Sequence, residues 1–312
     1  MSSSFADSIS PAASTSNSSE VVLKTTGLKR SFGRHHAVDG VDVEVRSGEI
    51  YGFLGINGAG KTTTIRMLMG IIASQAGTIT LLGETTRRTS VRLKKHIGYV
   101  SQDQNFYPWM SCERLGNFVG SFYPTWDRTE FFRLLEIFDI PRGRKVSQLS
   151  GGMKAKLALA LAITPKPKLL ILDEPTAGLD PVARRDFLDI IASQARTYQR
   201  TTFFSSHLID EVERCADRIG IIHAGKMRFE GALSKLREEV RRVRYQSIPD
   251  STAIADSFEL WSERKNDNEL LRTYRASPLA WQELQLPGDA VIERLSLEDI
   301  FLACVGSRSL DW

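Results

Sequence analysis

Long apolar runs are missing from this 312-residue chain: no stretch approaches the roughly 18 consecutive apolar residues that a bilayer-spanning helix needs. The longest such stretch, Leu157 to Ile163, is short and follows Lys156. The first twenty residues contain no Lys or Arg and no apolar segment, so they do not read as a targeting signal, and a cytosolic chain is expected. Cysteine is scarce. Cys112, Cys215 and Cys304 are odd in number, widely spaced and free of any CxxC or CxxH arrangement, which excludes a zinc ribbon and a disulfide framework and leaves three small buried hydrophobes in a reducing compartment. Nor is there an excess of one charge: 41 Lys+Arg stand against 37 Asp+Glu, a formal net charge of +4, too little for a polyanion binder held by bulk charge. What is present, 42% hydrophobic and 25% charged residues, is ordinary globular composition, with length for one large domain plus a small one or for two modest ones.

Residues 1–20 hold nine serines with Ala, Asn and Pro11 between them and lack the apolar surface to offset the entropy of ordering, so a disordered serine-rich tail is expected there. From Val21 the pattern changes to β-branched runs: Val21 to Thr26, Val41 to Val45, and Ile50 to Leu54 running into a glycine-rich turn. Lys61 to Ile72 places Ile65, Leu68, Met69 and Ile72 at helical spacing. Thr78 to Leu82 and Ile97 to Val100 read as further strands. Residues from about 103 to 166 read as a helical subdomain, with Phe132, Leu135, Ile137 and Phe138 forming an apolar face after an N-cap near Thr125 or Asp127. Leu169 to Leu172, Thr201 to Ser205 and Ile219 to Ile222 then alternate with helical stretches, the signature of a parallel sheet covered on both faces. Beyond Gly231 the chain turns charged and then polar, which sets off residues 236–312 as a small accessory domain.

Between the third strand and its helix, Gly55-Ile56-Asn57-Gly58-Ala59-Gly60-Lys61-Thr62 fits the phosphate-loop pattern G-x-x-x-x-G-K-[ST] in full. Glycines let backbone N–H groups approach phosphate oxygens, and the helix N-terminus adds partial positive charge. Lys61 is placed to reach β- and γ-phosphates and the Thr62 hydroxyl to hold Mg²⁺. Downstream, Leu169 to Leu172 ends in Asp173-Glu174, two carboxylates at the edge of a buried strand, where α/β folds bind ligands. Asp173 is the candidate to hold Mg²⁺ through water and Glu174 to polarise an attacking water. A third element, Leu149-Ser150-Gly151-Gly152-Met153, sits before the helical run Lys154 to Ile163 and offers a second hydroxyl, glycine backbone and helix N-terminus aimed at an anion. Two such ends do not easily serve one nucleotide inside one compact core, whereas two chains arranged head to tail can each lend the second end to the other's nucleotide.

The order Phe32, Gly55 to Thr63, Gln102, Leu149 to Met153, Asp173-Glu174, Gly178-Leu179-Asp180 and His207 resembles the nucleotide-binding subunits of ABC transporters over roughly residues 21 to 232. The resemblance implies an α/β fold: a P-loop NTPase with the mixed-sheet core of ABC ATPases, an antiparallel β subdomain and a helical subdomain, together spanning residues 21–235. It also assigns roles. Phe32 stacks on adenine; Gln102, at the Q-loop, senses Mg²⁺ and the γ-phosphate; Asp180 is the D-loop residue facing the partner subunit; His207 is the switch histidine that contacts the γ-phosphate. The cofactors it implies are ATP and Mg²⁺, held by residues 55 and 57–63 of one subunit and by Ser150, Gly151 and Gly152 of the other, and no role is implied for His35, His36, His96 or His223.

Two positions depart from the family's usual pattern, Met153 in place of a glutamine after Ser-Gly-Gly and Phe32 in place of a tyrosine, and neither removes a phosphate ligand. Met153, the single nucleotide-binding domain and the closing Ser296 to Leu302 are similar to ATPase subunits of ABC-2-type exporters, as, more weakly, are Phe122 to Trp126 and Pro181 to Asp186. The partners implied are a second copy of the chain and a separate polytopic membrane subunit, through which the chain would sit on the inner face of the cell membrane. Phe106 to Met110, after Gln102, either lines the groove for that partner or is ordinary packing. The competing reading is a soluble ABC-type ATPase acting on nucleic acid or ribosomes. Against it stand the mere ninety or so residues between Lys61 and Ser150, too few for a long coiled-coil arm, and the lack of a second cassette. Arg237, Arg241, Arg242 and Arg244 raise the further reading of a nucleic-acid module, but Glu238 and Glu239 interrupt them, so no nucleic acid is expected as a partner.

Overall fold

The computed structural model describes residues 20–86, 89–245, 257–266, 269–284, 286 and 290–306; the serine-rich tail, apart from Glu20, lies outside the described residues. A long hairpin opens the fold, β1 (Val21–Phe32) turning at Gly33-Arg34 into β2 (His35–Arg46). β3 (Ile50–Leu54), buried at every position, feeds the glycine loop and α1 (Lys61–Leu68). β4 (Ala76–Leu81), β5 (Glu84–Thr86), α2 (Val91–Lys94) and β6 (Ile97–Val100) follow, then α3 (Cys112–Gly120), α4 (Arg128–Ile137) and α5 (Gly151–Ile163). β7 (Leu169–Asp173), α6 (Pro181–Tyr198), β8 (Thr201–Ser206), α7 (Ile209–Cys215), β9 (Arg218–His223) and β10 (Lys226–Ala232) complete the alternation.

The continuous apolar runs form a six-stranded sheet in the order β10-β9-β3-β8-β7-β6, parallel except for the β9–β10 edge pair. Parallel strands carry their C-terminal ends to one edge, so the glycine loop after Leu54, the acids at Asp173-Glu174 and the turn after Ser206 emerge side by side. The half-alternating strands form a separate antiparallel sheet, β2-β1-β4-β5. Its inner face, with Leu23, Val43, Ile79 and Leu81, shares one core with Tyr51, Phe53, Ile65 and Phe203 of the central layer. Tyr51 and Phe203 stack there with ring centroids 5.4 Å apart.

Two local features differ from the sequence reading. The first helix ends at Leu68 rather than Ile72, because Gly70 takes a left-handed conformation (φ 61°) and its N–H caps the Met67 carbonyl at 2.9 Å. In α4 the Asp127 side chain does cap the helix, accepting from the Glu130 N–H at 3.0 Å, and Leu135 and the capping Phe138 are buried as expected, but their companions are Phe131 and Leu134, with Ile137 58% exposed. That face meets α5, whose Leu157 to Ile163 run is buried throughout and lies against β6.

Beyond β10 the chain continues as α8 (Leu233–Glu239), β11 (Val240–Tyr245), β12 (Glu259–Asn266), β13 (Glu269–Arg275), α9 (Pro278–Glu283), β14 (Val291–Arg294) and α10 (Leu297–Val305). The strands form an antiparallel sheet, β12-β13-β11-β14, over a small core of its own that includes Val243, Tyr245, Tyr274 and Trp281. Both ends of this region are tied into the main core: Leu233 and Leu236 enter it from α8, and α10 returns to it with Leu297, Ile300 and Phe301. The arginines of this stretch face acids, Arg237 on Glu213, Arg242 on Asp299 at 3.3 Å and Arg244 on Glu293 at 2.7 Å, while Arg241 lies over the Trp281 ring.

Candidate functional site

The glycine loop has its shape because two of its glycines sit where no side chain fits. A Cβ on Gly60, which has φ 111°, would lie 2.4 Å from the Ala37 carbonyl oxygen, and one on Gly55 would lie 2.6 Å from that of Ile222. Ala59 is buried beneath the loop, and its carbonyl accepts from the Gly225 N–H at 3.0 Å. Lys61, 4% exposed, turns its ammonium back over the loop, donating to the Gly55 carbonyl at 2.7 Å and the Ile56 carbonyl at 3.1 Å, and forms an ion pair with Glu174 Oε1 at 3.0 Å.

Asp173 is the last residue of β7 and stands in register with Ser205 of β8. Its Oδ1 accepts from the Ser205 hydroxyl at 2.9 Å and from the Thr62 hydroxyl at 3.1 Å. Burial pushes its carboxyl above the usual range, an effect those two hydroxyls oppose. The next residue, Glu174, has φ 43°, a left-handed conformation that costs a non-glycine residue about 1–2 kcal/mol. That turn is held by the Glu174 N–H donating to Ser205 Oγ at 3.0 Å, and it aims the carboxylate between Lys61 and His207, whose Nδ1 lies 3.0 Å from Glu174 Oε2.

Of these groups, Lys61, Thr62 and Glu174 border a cavity of about 350 Å³. Its floor is Asn57, Gly58, Gly60, Lys61, Thr62 and Thr63; its walls include Phe32, Gln102 and Glu174. Phe32 is half exposed, with the Arg30 guanidinium 4.9 Å from its ring centre. Gly55, Ala59, Ser150, Gly151, Gly152, Asp173, Asp180 and His207 do not line this cavity, although Asp173 meets Thr62 and His207 meets Glu174 on its border. Ser150 caps α5 by accepting from the Met153 N–H at 3.2 Å, which leaves its own proton free to donate, and nothing stands within 3.9 Å of a Cβ placed on Gly151. Asp180 caps α6 through the N–H groups of Val182 and Ala183, at 3.0 and 2.9 Å, which hold its carboxyl below the usual range.

Residues 38–177, which contain the glycine loop, the Ser150 helix end and the acid pair, match the family model described as ABC transporter. Over 302 residues the chain is 34% identical to the bacitracin transport ATP-binding protein BcrA of Bacillus licheniformis, an alignment covering 93% of this chain and 99% of that one. This chain is an ABC transporter ATP-binding subunit. It is also 35% identical over 309 residues to the Nod factor export ATP-binding protein I of Paraburkholderia xenovorans (strain LB400), covering 94% and 99% of the two chains. Among solved structures, an ATP-binding subunit of an ABC transporter superposes with a TM-score of 0.63 at 26% identity, covering 69% of this chain and 92% of that one. The fold is that of the P-loop ABC ATPases, and the subunit's activity is ATP hydrolysis coupled to transport. No described helix is long and apolar enough to cross a membrane.

The sequence reading missed Ser205, which is buried and holds both Asp173 and the Glu174 backbone; its signal was a serine pair at the C-terminal end of a core strand, just before His207. It also left His35 without a role, yet His35 lines the cavity because the tight hairpin turn pairs it with Phe32.

Proposed function

We propose that the subunit drives export by closing, as a head-to-tail pair with a second copy, around two ATP molecules, each held by the glycine loop of one chain and by Ser150, Gly151 and Gly152 of the other. One observation supports this reading: two helices, α1 and α5, begin in glycine- and hydroxyl-bearing segments of the kind that suit phosphate, and of the two only the N-terminus of α1 opens onto the cavity. ATP drives closure to the extent that it binds the closed pair better than the open one.

Within each site, Phe32 stacks on the adenine and the loop N–H groups take the phosphate oxygens. Thr62, Asp173 and Gln102 present hard oxygen donors, a set suited to Mg²⁺, and the Thr62–Asp173 hydroxyl–carboxylate contact at 3.1 Å already brings two of them together. Bound with the nucleotide, Mg²⁺ supplies neutralising charge across the β- and γ-phosphates. Lys61 exchanges its Glu174 contact for phosphate. Glu174, released from Lys61, polarises the attacking water, and His207 holds the γ-phosphate.

The relative named for Nod factor export supports export as the direction. The force passes to a separate membrane subunit through the segment after Gln102. A groove of about 640 Å³ opens there between β6, α3 and α5, lined by Tyr99, Gln104, Phe106, Val119, Tyr123 and Leu161 among others. Beside it Tyr107, Trp109, Phe118 and Phe122 stand exposed in mutual contact. The occupant we assign to this groove is a cytoplasmic helix of the membrane subunit.

The test is purification of the tagged chain from its native membranes in mild detergent, with mass spectrometry of what co-elutes. A stoichiometric polytopic membrane protein, lost when residues 106–110 are substituted, is the expected result. Recovery with ribosomal or DNA-bound proteins instead would overturn transport as the purpose of the ATPase.

A further inference from the structure

The carboxylate that joins the two reactive loops is not one that faces the cavity. Glu211, in the first turn of α7, is 1% exposed. Its Oε1 accepts from the Thr176 hydroxyl at 2.5 Å and lies 3.5 Å from Arg184 Nε; its Oε2 accepts from the Ser206 hydroxyl at 2.5 Å. Thr176 is two residues beyond Glu174, Ser206 immediately precedes His207, and Arg184 stands in the helix that Asp180 caps. Ser206 Oγ also accepts from the Leu208 N–H at 2.9 Å, so the backbone on both sides of His207 is folded around a single hydroxyl that Glu211 anchors.

We propose that Glu211 is a positioning residue for ATP hydrolysis: it sets the separation of Glu174 and His207 by referring both of their loops to one buried group. A buried carboxylate is costly to desolvate, and apolar residues replacing it together with its partners would often serve stability as well or better. What the carboxylate adds is geometry. It receives the loop after β7, the loop after β8 and α6 at once, and the 3.0 Å contact between His207 and Glu174 is the local consequence. Displacing a reacting group by about 1 Å costs up to about 10²-fold in rate, so slack between these loops is read directly in turnover. The inference rests on the reading of Glu174 and His207 as catalytic residues.

The test uses the full chain in steady-state ATPase assays. Glu211→Gln keeps the shape and removes the charge. We expect kcat to fall by about tenfold or more, with KM for ATP and the unfolding temperature close to wild type. In a His207→Ala background the same substitution should cost little further, because the geometry it maintains is no longer used. A Glu211→Gln rate within about twofold of wild type, or an undiminished loss in the His207→Ala background, would overturn the proposal. Should Glu211→Gln melt early, Ser206→Ala decides instead: it removes one hydroxyl and leaves Glu211 with Thr176 and Arg184. A fall in kcat at unchanged KM supports the anchor, and a wild-type kcat refutes it. Glu174→Gln assayed in parallel separates the two readings. Wild-type turnover there removes Glu174 from its role, whereas its inactivity beside a fully active Glu211→Gln refutes the positioning role alone.

Discussion

Lys61 and Glu174 form a buried ion pair, Nζ to Oε1 3.0 Å, with side chains 3% and 9% exposed, although 113 positions of sequence separate them. The phosphate-loop cation and the strand-end acid are thus one electrostatic unit. Deleting one partner of such a pair leaves an uncompensated buried charge, at a cost of about 3–5 kcal/mol. Lys61→Ala should therefore lower stability in urea unfolding as well as ATP affinity, and adding Glu174→Gln should return part of the lost stability. Additive losses in the double variant would show that the two side chains do not act as a pair.

Glu174→Gln alone keeps the size of the side chain and removes its basicity. Turnover should fall by about 10²–10³, the loss typical of one well-placed electrostatic group, while ATP still binds in a fluorescence titration. Loss of binding together with turnover would assign Glu174 to the binding of ATP instead.

Asp173 carries a cost that its role explains. Its carboxyl is pushed up by burial, so the charged form is disfavoured in the folded chain, and that cost grows as pH rises from the ordinary aspartate value through the raised one. Asp173→Asn should raise the unfolding temperature of the Mg²⁺-free protein near neutral pH. The gap to wild type should close as pH is lowered through the same window, while Mg²⁺-dependent hydrolysis is lost. A variant that melts below wild type at neutral pH would contradict this account.

How legible all this was from sequence depends on the range of each interaction. The glycine loop, the acid pair and the Ser150 helix end are set by residues adjacent in the chain, and their chemistry shows in the residue types themselves. Ser205 and Glu211 take their meaning from the β7–β8 register and from the packing of α7, and neither is visible in a local window. On the face of α4 the reading holds at Leu135 and Phe138 but takes Phe132 for Phe131 and Ile137 for Leu134, because Phe131 and Phe132 are equally apolar. Only packing against α5 and Trp126, whose ring centre lies 5.2 Å from that of Phe131, decides between them. The composition change after Gly231 is visible in the sequence, but the return of α10 to the main core turns on three buried side chains about 70 residues further on.

That return has a stability consequence. Phe301 is 5% exposed within the main core, so Phe301→Ala should destabilise the chain by about 3–5 kcal/mol in denaturant unfolding. Its neighbour Leu302, 46% exposed, is the control, and Leu302→Ala should stay within about 0.5 kcal/mol of wild type. Equal effects at both positions would mean that α10 does not dock as described.

The central claim is that one nucleotide site is built from two chains, and the mass of the hydrolysis-deficient protein tests it most directly. Light scattering of Glu174→Gln saturated with Mg²⁺ and ATP should give the mass of two chains, and with ADP the mass of one. Adding Ser150→Arg, which places a bulky side chain at the second phosphate-binding helix end, should return the ATP-bound protein to a single chain. A Glu174→Gln protein that binds ATP yet stays a single chain, or a dimer indifferent to Ser150→Arg, would contradict the shared site.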